Sequence, residues 1–184
     1  MGIKLFGKNV FQGYKHHIMK LEYSDMKYKS IDLGLQLRKI NLQKIKDELE
    51  PVGTTVSVTN LELLVEKNKT RCEGFVLLDE TGKSVGTIWV MYKGTDDLEY
   101  RIRSIDAYIF DVYVNSSYRG KGYAGEMIRQ LMEYLHAKNI DIAHLAVSTK
   151  NEKAIRAYEK AGFSTVYDRS FARVLKINIP YHSL

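Results

Sequence analysis

The sequence predicts an α/β fold, a mixed β-sheet flanked by helices. Three observations carry it. Four strand-like runs lie between residues 33 and 114, 33–40 by its apolar–polar alternation and Cys72–Leu78, Val85–Met91 and Tyr108–Val114 by their β-prone residues. From Gly122 onward the apolar residues recur three and four apart, over 122–138 and again over 151–161, which is the spacing of one helix face. The run 140–147 between those segments is strand-like again. A helix therefore crosses from one strand to the next, and such a crossover makes the two strands parallel.

Taken in order, 33–40 (LGLQLRKI) alternates as a strand does, and Asn41 is placed to cap a short helix over 42–49 that Pro51 ends. A second short helix is expected over 60–67. Cys72–Leu78 and Val85–Met91 flank Asp79-Glu80-Thr81-Gly82-Lys83, a hairpin signal. Tyr108–Val114 (YIFDVYV) is the most β-prone run, interrupted only by Asp111. Ala124, Met127, Ile128, Leu131, Met132 and Leu135 form one apolar helix face, and Asn151–Ala161 forms a second helix with Gly162 at its C-terminus. Ser164–Tyr167 and Phe171–Ile177 read as two closing strands.

With 184 residues, 45% hydrophobic and 27% charged, the chain has the length and composition of one soluble domain. No run of about 18 apolar residues is present to span a bilayer, and the first residues lack a secretory signal. Cys72 is the lone cysteine, so the sequence reads as a cytoplasmic protein with no membrane partner. The five histidines (16, 17, 136, 144, 182) and Cys72 show no metal-ligand spacing, and the thirteen tyrosines are too dispersed for a nucleic-acid stacking platform. The net charge is +6, of which residues 1–30 contribute +4 through six lysines against Glu22 and Asp25. Residues 1–31 are read as a basic N-terminal extension, partly docked, because Phe6, Val10, Phe11, Ile18 and Leu21 are too many apolar side chains for a solvated arm. The domain proper is 32–178, and 179–184 is a C-terminal tail.

Between the run 108–114 and the following helix stands Asn115-Ser116-Ser117-Tyr118-Arg119-Gly120-Lys121-Gly122-Tyr123-Ala124-Gly125. Strand, glycine-rich turn and helix N-terminus together make an anion site, since backbone N–H groups converge where the helix dipole is positive. The plainer reading is a tight helix start. Gly120-x-Gly122-x-x-Gly125 also fits the dinucleotide fingerprint, but it stands two-thirds along the chain and the next strand ends in Val147-Ser148-Thr149-Lys150 without the ribose-binding acid.

Two linked motifs resemble the GNAT superfamily of acetyl-CoA-dependent N-acetyltransferases. One is Val112-x-Val114-x-x-x-Tyr118-Arg119-Gly120-Lys121-Gly122-x-Ala124; the other is Asn151-x-x-Ala154-x-x-x-Tyr158-x-x-x-Gly162-Phe163. The resemblance is clear over 85–163 and extends by strand order to 32–178. It implies a mainly antiparallel mixed sheet with a splayed central parallel pair, in which the amides of Arg119, Gly120, Lys121, Gly122, Tyr123 and Ala124 bind the pyrophosphate of acetyl-CoA. Val112 and Val114 would pair with the pantetheine arm, and an amide there would polarise the thioester carbonyl. Asn151 would contact the cofactor arm, or serve simply as an N-cap. Tyr158 would be the general acid for the departing thiolate, against the alternative of a core aromatic.

The general base is less defined. Family members that acetylate ribosomal-protein alanines carry a Glu where this chain has Ala146, and Asp111 is the best acid in range. Strand alternation places Asp111 opposite Val112's face unless a bulge turns it. The implied enzyme transfers acetyl from acetyl-CoA, with no metal, to a primary amine on a small molecule, peptide or protein, by direct attack in a ternary complex. Nucleic acid is not an expected partner, and a homodimer is compatible with all of this. The alternatives are a catalytically silent acyl-CoA-binding sensor or interaction module and a transferase for longer acyl groups.

Overall fold

The computed structural model describes residues 4–5, 8–9, 11–27, 34–68, 71–93 and 106–174. Among them, β1 (Lys4–Leu5) and β2 (Lys8–Asn9) pair as a separate two-stranded ladder. The main sheet comprises β3 (Phe11–Glu22), β4 (Gln36–Lys39), β5 (Cys72–Leu78), β6 (Ser84–Tyr92), β7 (Ala107–Val114), β8 (Ile142–Ser148) and β9 (Ser164–Val174). Their spatial order is β4-β5-β6-β7-β8-β3-β9. Every neighbouring pair is antiparallel except β7–β8, the parallel pair that the crossover requires. The helices are α1 (Ile45–Leu49), α2 (Val58–Asn68), α3 (Tyr123–His136) and α4 (Glu152–Ala161).

Local chemistry sets the element ends. Asn41 accepts from the Gln43 N–H at 3.0 Å and caps the 3-10 turn that leads into α1. Asp79 Oδ1 accepts from the N–H groups of Thr81 (3.0 Å) and Lys83 (2.9 Å), closing the β5–β6 hairpin. Asn151 accepts from Ala154 N–H at 3.2 Å, and α4 ends where the Phe163 N–H turns back to the Tyr158 carbonyl at 3.0 Å.

The sheet has a core on each face. On one, Met127, Ile128, Leu131, Met132 and Leu135 of α3 and Ala161 of α4 pack on Met19, Leu21, Phe75, Ile88, Ile109 and Leu145. On the other, Ile45, Leu49, Leu61 and Val65 of α1 and α2 pack on Val76, Trp89, Met91 and Tyr108. Gln130 of α3 fixes the sheet edge to this framework by accepting from Leu37 N–H (2.7 Å) and donating to the Leu35 carbonyl (3.0 Å).

Two expectations differ from the structure. The basic extension does not merely dock over Phe11–Glu22: it supplies β3, hydrogen-bonded between β8 and β9, with Met19 and Leu21 fully buried. Ile18 is buried too, whereas Phe6 and Val10 lie outside the described residues. The two closing strands are one strand, β9, running beside β3 from Lys20↔Ser164 to Phe11↔Val174. The polar stretch around Asp168 stays extended because its carboxylate is held by Lys15 Nζ (2.5 Å) and His17 Nδ1 (2.6 Å) on the neighbouring strand. Residues 175–177 of the expected second strand lie outside the described residues.

Candidate active site

Strand β7 pairs with β8 only over Ala107↔Ala143, Tyr108↔His144 and Ile109↔Leu145; beyond that register the two strands separate. On its other side β7 is bulged. Thr87 pairs with Tyr113 and Trp89 with Phe110, so Asp111 and Val112 together stand opposite the single residue Ile88. Asp111 takes φ +46°, a left-handed conformation that Asp tolerates better than most residues. The extra residue resets the alternation. Val112 and Val114 pack with the α3/α4 core, while Phe110 and Tyr113 pack with the α1/α2 core.

The bulge leaves Asp111 on the side away from Val112. Its carboxylate accepts from Thr55 N–H (2.9 Å) and Val56 N–H (3.1 Å) and from the hydroxyls of Thr54 and Thr55, all in the connection between α1 and α2. The backbone of Gly53 lies against the Tyr113 ring.

At the end of β7, Asn115 accepts from Ser117 N–H and hydroxyl (3.2 and 2.9 Å) and starts a tight turn. Gly120 and Gly122 follow with φ +80° and +84°, and Gly122 is the N-cap of α3. A Cβ at Gly120 would meet nothing within 4 Å, so the loop is open on the side where a ligand can approach its backbone. The Arg119 guanidinium folds back, donating from Nε to the Val114 carbonyl (2.9 Å) and lying 5.7 Å from the Tyr113 ring centre. Tyr118 donates to Asp79 (3.3 Å), and Lys83 and Lys121 sit 5.7 and 5.9 Å from its ring centre. Lys83 thus joins the loop from the β5–β6 hairpin. Its position was hidden in the sequence because nothing local ties that hairpin to a turn more than thirty residues later.

Tyr158 of α4 packs against the core, its ring centre 5.9 Å from that of Phe163 and the two rings tilted by 59°. Burial, with a smaller contribution from the Asp111 charge, pushes its phenol up to about 12. Asn151 is the N-cap of α4, as the plainer reading had it, with its amide oxygen committed to Ala154. Ala146 is half-buried and packs with the α1/α2 core. Cys72 is buried in β5, its thiol pushed up to about 12 mainly by burial. Among the described residues no group of three His, Cys, Asp or Glu could hold a metal, and no helix is long and apolar enough to cross a membrane.

Thus Val112, Val114, the 119–124 loop, Asn151 and Tyr158 come from β7, α3 and α4, the elements around the opening between β7 and β8, whereas Asp111 turns to the opposite side of the sheet. A profile described as the Acetyltransferase (GNAT) family matches residues 42–163. An uncharacterized N-acetyltransferase of Methanocaldococcus jannaschii is 29% identical over 91 residues, covering 50% of this chain and 39% of that protein. The chain thus spans well under half the length of this curated relative. A GNAT-family acetyltransferase structure from Novosphingobium aromaticivorans aligns over 88% of this chain and 63% of its own, with TM-score 0.56 at 17% identity. A dodecameric spermidine N-acetyltransferase from Vibrio cholerae aligns over 71% of this chain and 80% of its own, with TM-score 0.51 at 21% identity. These structural likenesses concern the fold.

Proposed function

The chain belongs to the GNAT acetyltransferase family, and from that premise we propose that it transfers an acetyl group from acetyl-CoA to a primary amine by direct attack in a ternary complex. The observation that carries the proposal is the β7–β8 pairing that ends at Ile109↔Leu145, leaving the later residues of β7 unpaired with β8 just ahead of the glycine turn that starts α3. Acetyl-CoA supplies the acetyl group as a thioester, with the CoA sulfur as leaving group. The amides of Arg119 to Ala124 hold the pyrophosphate, assisted by the dipole of α3 and by the charges of Lys83 and Lys121. Exposed backbone at Val112 and Val114 orients the pantetheine arm. An N–H there also polarises the reacting carbonyl, a contribution whose loss typically costs about 10²–10³ in rate. The Asn151 oxygen is engaged in its cap, so its NH2 is the group left for the arm.

Tyr158 keeps its proton at neutral pH, since burial raises the phenol, and delivers it to the departing sulfur. The amine has to be neutral when it attacks, which for an alkylamine with pKa about 10.4 means losing a proton first. A lone free cysteine fits a reducing compartment, and we place the reaction in the cytoplasm.

The test begins with binding. Acetyl-CoA should raise the melting temperature, because a ligand bound only by the folded state at a hundredfold over its Kd stabilises it by about 2.7 kcal/mol. Gly122→Glu should abolish that shift by putting a side chain and a negative charge where phosphate must meet backbone. An unchanged shift would sink the phosphate loop. Acetyl-CoA consumption is then followed across N-terminal peptides, lysine, polyamines and aminoglycosides. Binding without consumption of acetyl-CoA by any of them would favour the silent sensor over the transferase.

A further inference from the structure

We propose that Asp111 is a positioning residue: its carboxylate holds the Thr54–Val56 segment as one wall of the acceptor entrance beside the β7 bulge, and it takes no proton in the reaction. This inference rests on the acetyl-transfer reading above. The carboxylate has about four acceptor sites, and four donors from three consecutive residues converge on it. Those four donors occupy the lone pairs that a base would have to direct at an incoming amine. The unusual φ of +46° persists because this cluster over-determines it.

A second attachment lies two residues along the same strand. Gly53, at φ +90°, lies so close to the Tyr113 ring that a Cβ there would stand 3.0 Å from the ring edge and the hydroxyl. Any other residue at 53 would be strained at that φ and would require the Tyr113 ring to give way by a few tenths of an ångström. Strand β7 therefore divides its two sides between the substrates. Val112 and Val114 face the α3/α4 side, where the acetyl donor is held, while Asp111 and Tyr113 carry the wall on the α1/α2 side. Among the titratable groups, Tyr158 is near enough for the Asp111 charge to help it retain its proton.

The test uses Asp111→Asn, Asp111→Ala and Thr55→Val in the full chain. Asn retains an oxygen for the Thr55 and Val56 amides, tolerates positive φ and lets the Thr54 hydroxyl accept from its NH2. Asp111→Asn is therefore expected to keep kcat and the acceptor KM within about threefold of wild type. Asp111→Ala should raise the acceptor KM tenfold or more, leaving kcat at saturating acceptor and the acetyl-CoA Kd within about threefold; Thr55→Val should move KM the same way by less. The acid limb of kcat/KM should follow the acceptor, differing between an α-amino and an alkylamine substrate and unchanged in Asp111→Asn. A hundredfold loss of kcat in Asp111→Asn together with loss of that limb would make Asp111 the base and overturn the proposal. An unchanged acceptor KM in Asp111→Ala would overturn the wall.

If wild type binds acetyl-CoA but acetylates no amine, the transfer reading fails on its own. Hydrogen exchange at the Thr55 and Val56 amides then decides the positioning role. Exchange at least tenfold faster in Asp111→Ala supports it, and equal exchange overturns it.

Discussion

Tyr158 is partly buried against the α3/α4 core, and burial, with a smaller contribution from the Asp111 charge, raises its phenol to about 12. Tyr158→Phe should therefore lower kcat by roughly 10² or more while leaving acetyl-CoA affinity within a few-fold, and wild-type kcat should show no decline from tyrosine ionisation below about pH 11. Steady-state rates and a pH profile check both; an equally active Phe variant would make Tyr158 a packing residue. Glu73 has the opposite outcome because it has partners. Burial works against its charge, but Lys39 (2.6 Å), Tyr134 (3.0 Å), Tyr92 and Lys138 (3.2 Å) all donate to it, and together they hold the carboxyl below its ordinary range. A lowered native value means that the unfolded chain takes up the proton first. The stabilisation is therefore present above the ordinary glutamate pKa of about 4.3 and disappears as pH falls through the native value. Melting temperatures of wild type and Glu73→Gln should lie furthest apart near neutrality and converge in acid. A gap independent of pH would show that the carboxylate's charge does not matter.

Strand β3 shows which part of the fold local pattern hides. Its sequence reads as a basic arm because Lys15 and Lys20 stand in it, yet Lys15 pairs with Asp168 and Lys20 with Glu22 (2.6 Å). Alternation fails where Ile18 and Met19, adjacent in sequence, are both buried, and the β9 register shifts between those two residues. By contrast, the β5–β6 hairpin, the Asn41 and Asn151 caps and the glycine turn before α3 were all legible, each being set by residues within a few positions of one another. If β3 is integral, Leu21→Ala should cost about 2–5 kcal/mol in denaturant unfolding, as truncation of a fully buried side chain does. Leu63→Ala, on an exposed side chain, should change stability by no more than about 0.5 kcal/mol. Equal small effects would return residues 11–22 to the status of a loosely docked arm.

At the scale of the molecule, the glycine turn, the helix start and the α4 motif were readable because they lie within 112–163, inside the matched segment 42–163. The cluster around Asp111 and the place of β3 were not, because each depends on partners distant in sequence: Asp111 meets Thr54–Val56 across more than fifty residues, and β3 meets β8 and β9 across more than a hundred. Asp111 itself was noticed as an acid in a β-prone run, but no local signal said that its oxygens would be claimed by another part of the chain. The central place of β3 also matters before the protein is complete. Strand β3 is translated before both of the strands that will flank it, β8 being complete only at Ser148 and β9 only at Val174, about 125 and about 150 residues on. At ~5–20 residues per second β8 follows roughly six to twenty-five seconds later and β9 roughly eight to thirty. Until β8 arrives Ile18, Met19 and Leu21 have no neighbouring strand to pair beside, and until β9 arrives one edge stays unpaired, so the nascent chain carries an apolar strand that chaperones can hold and neighbouring polysomal chains can capture.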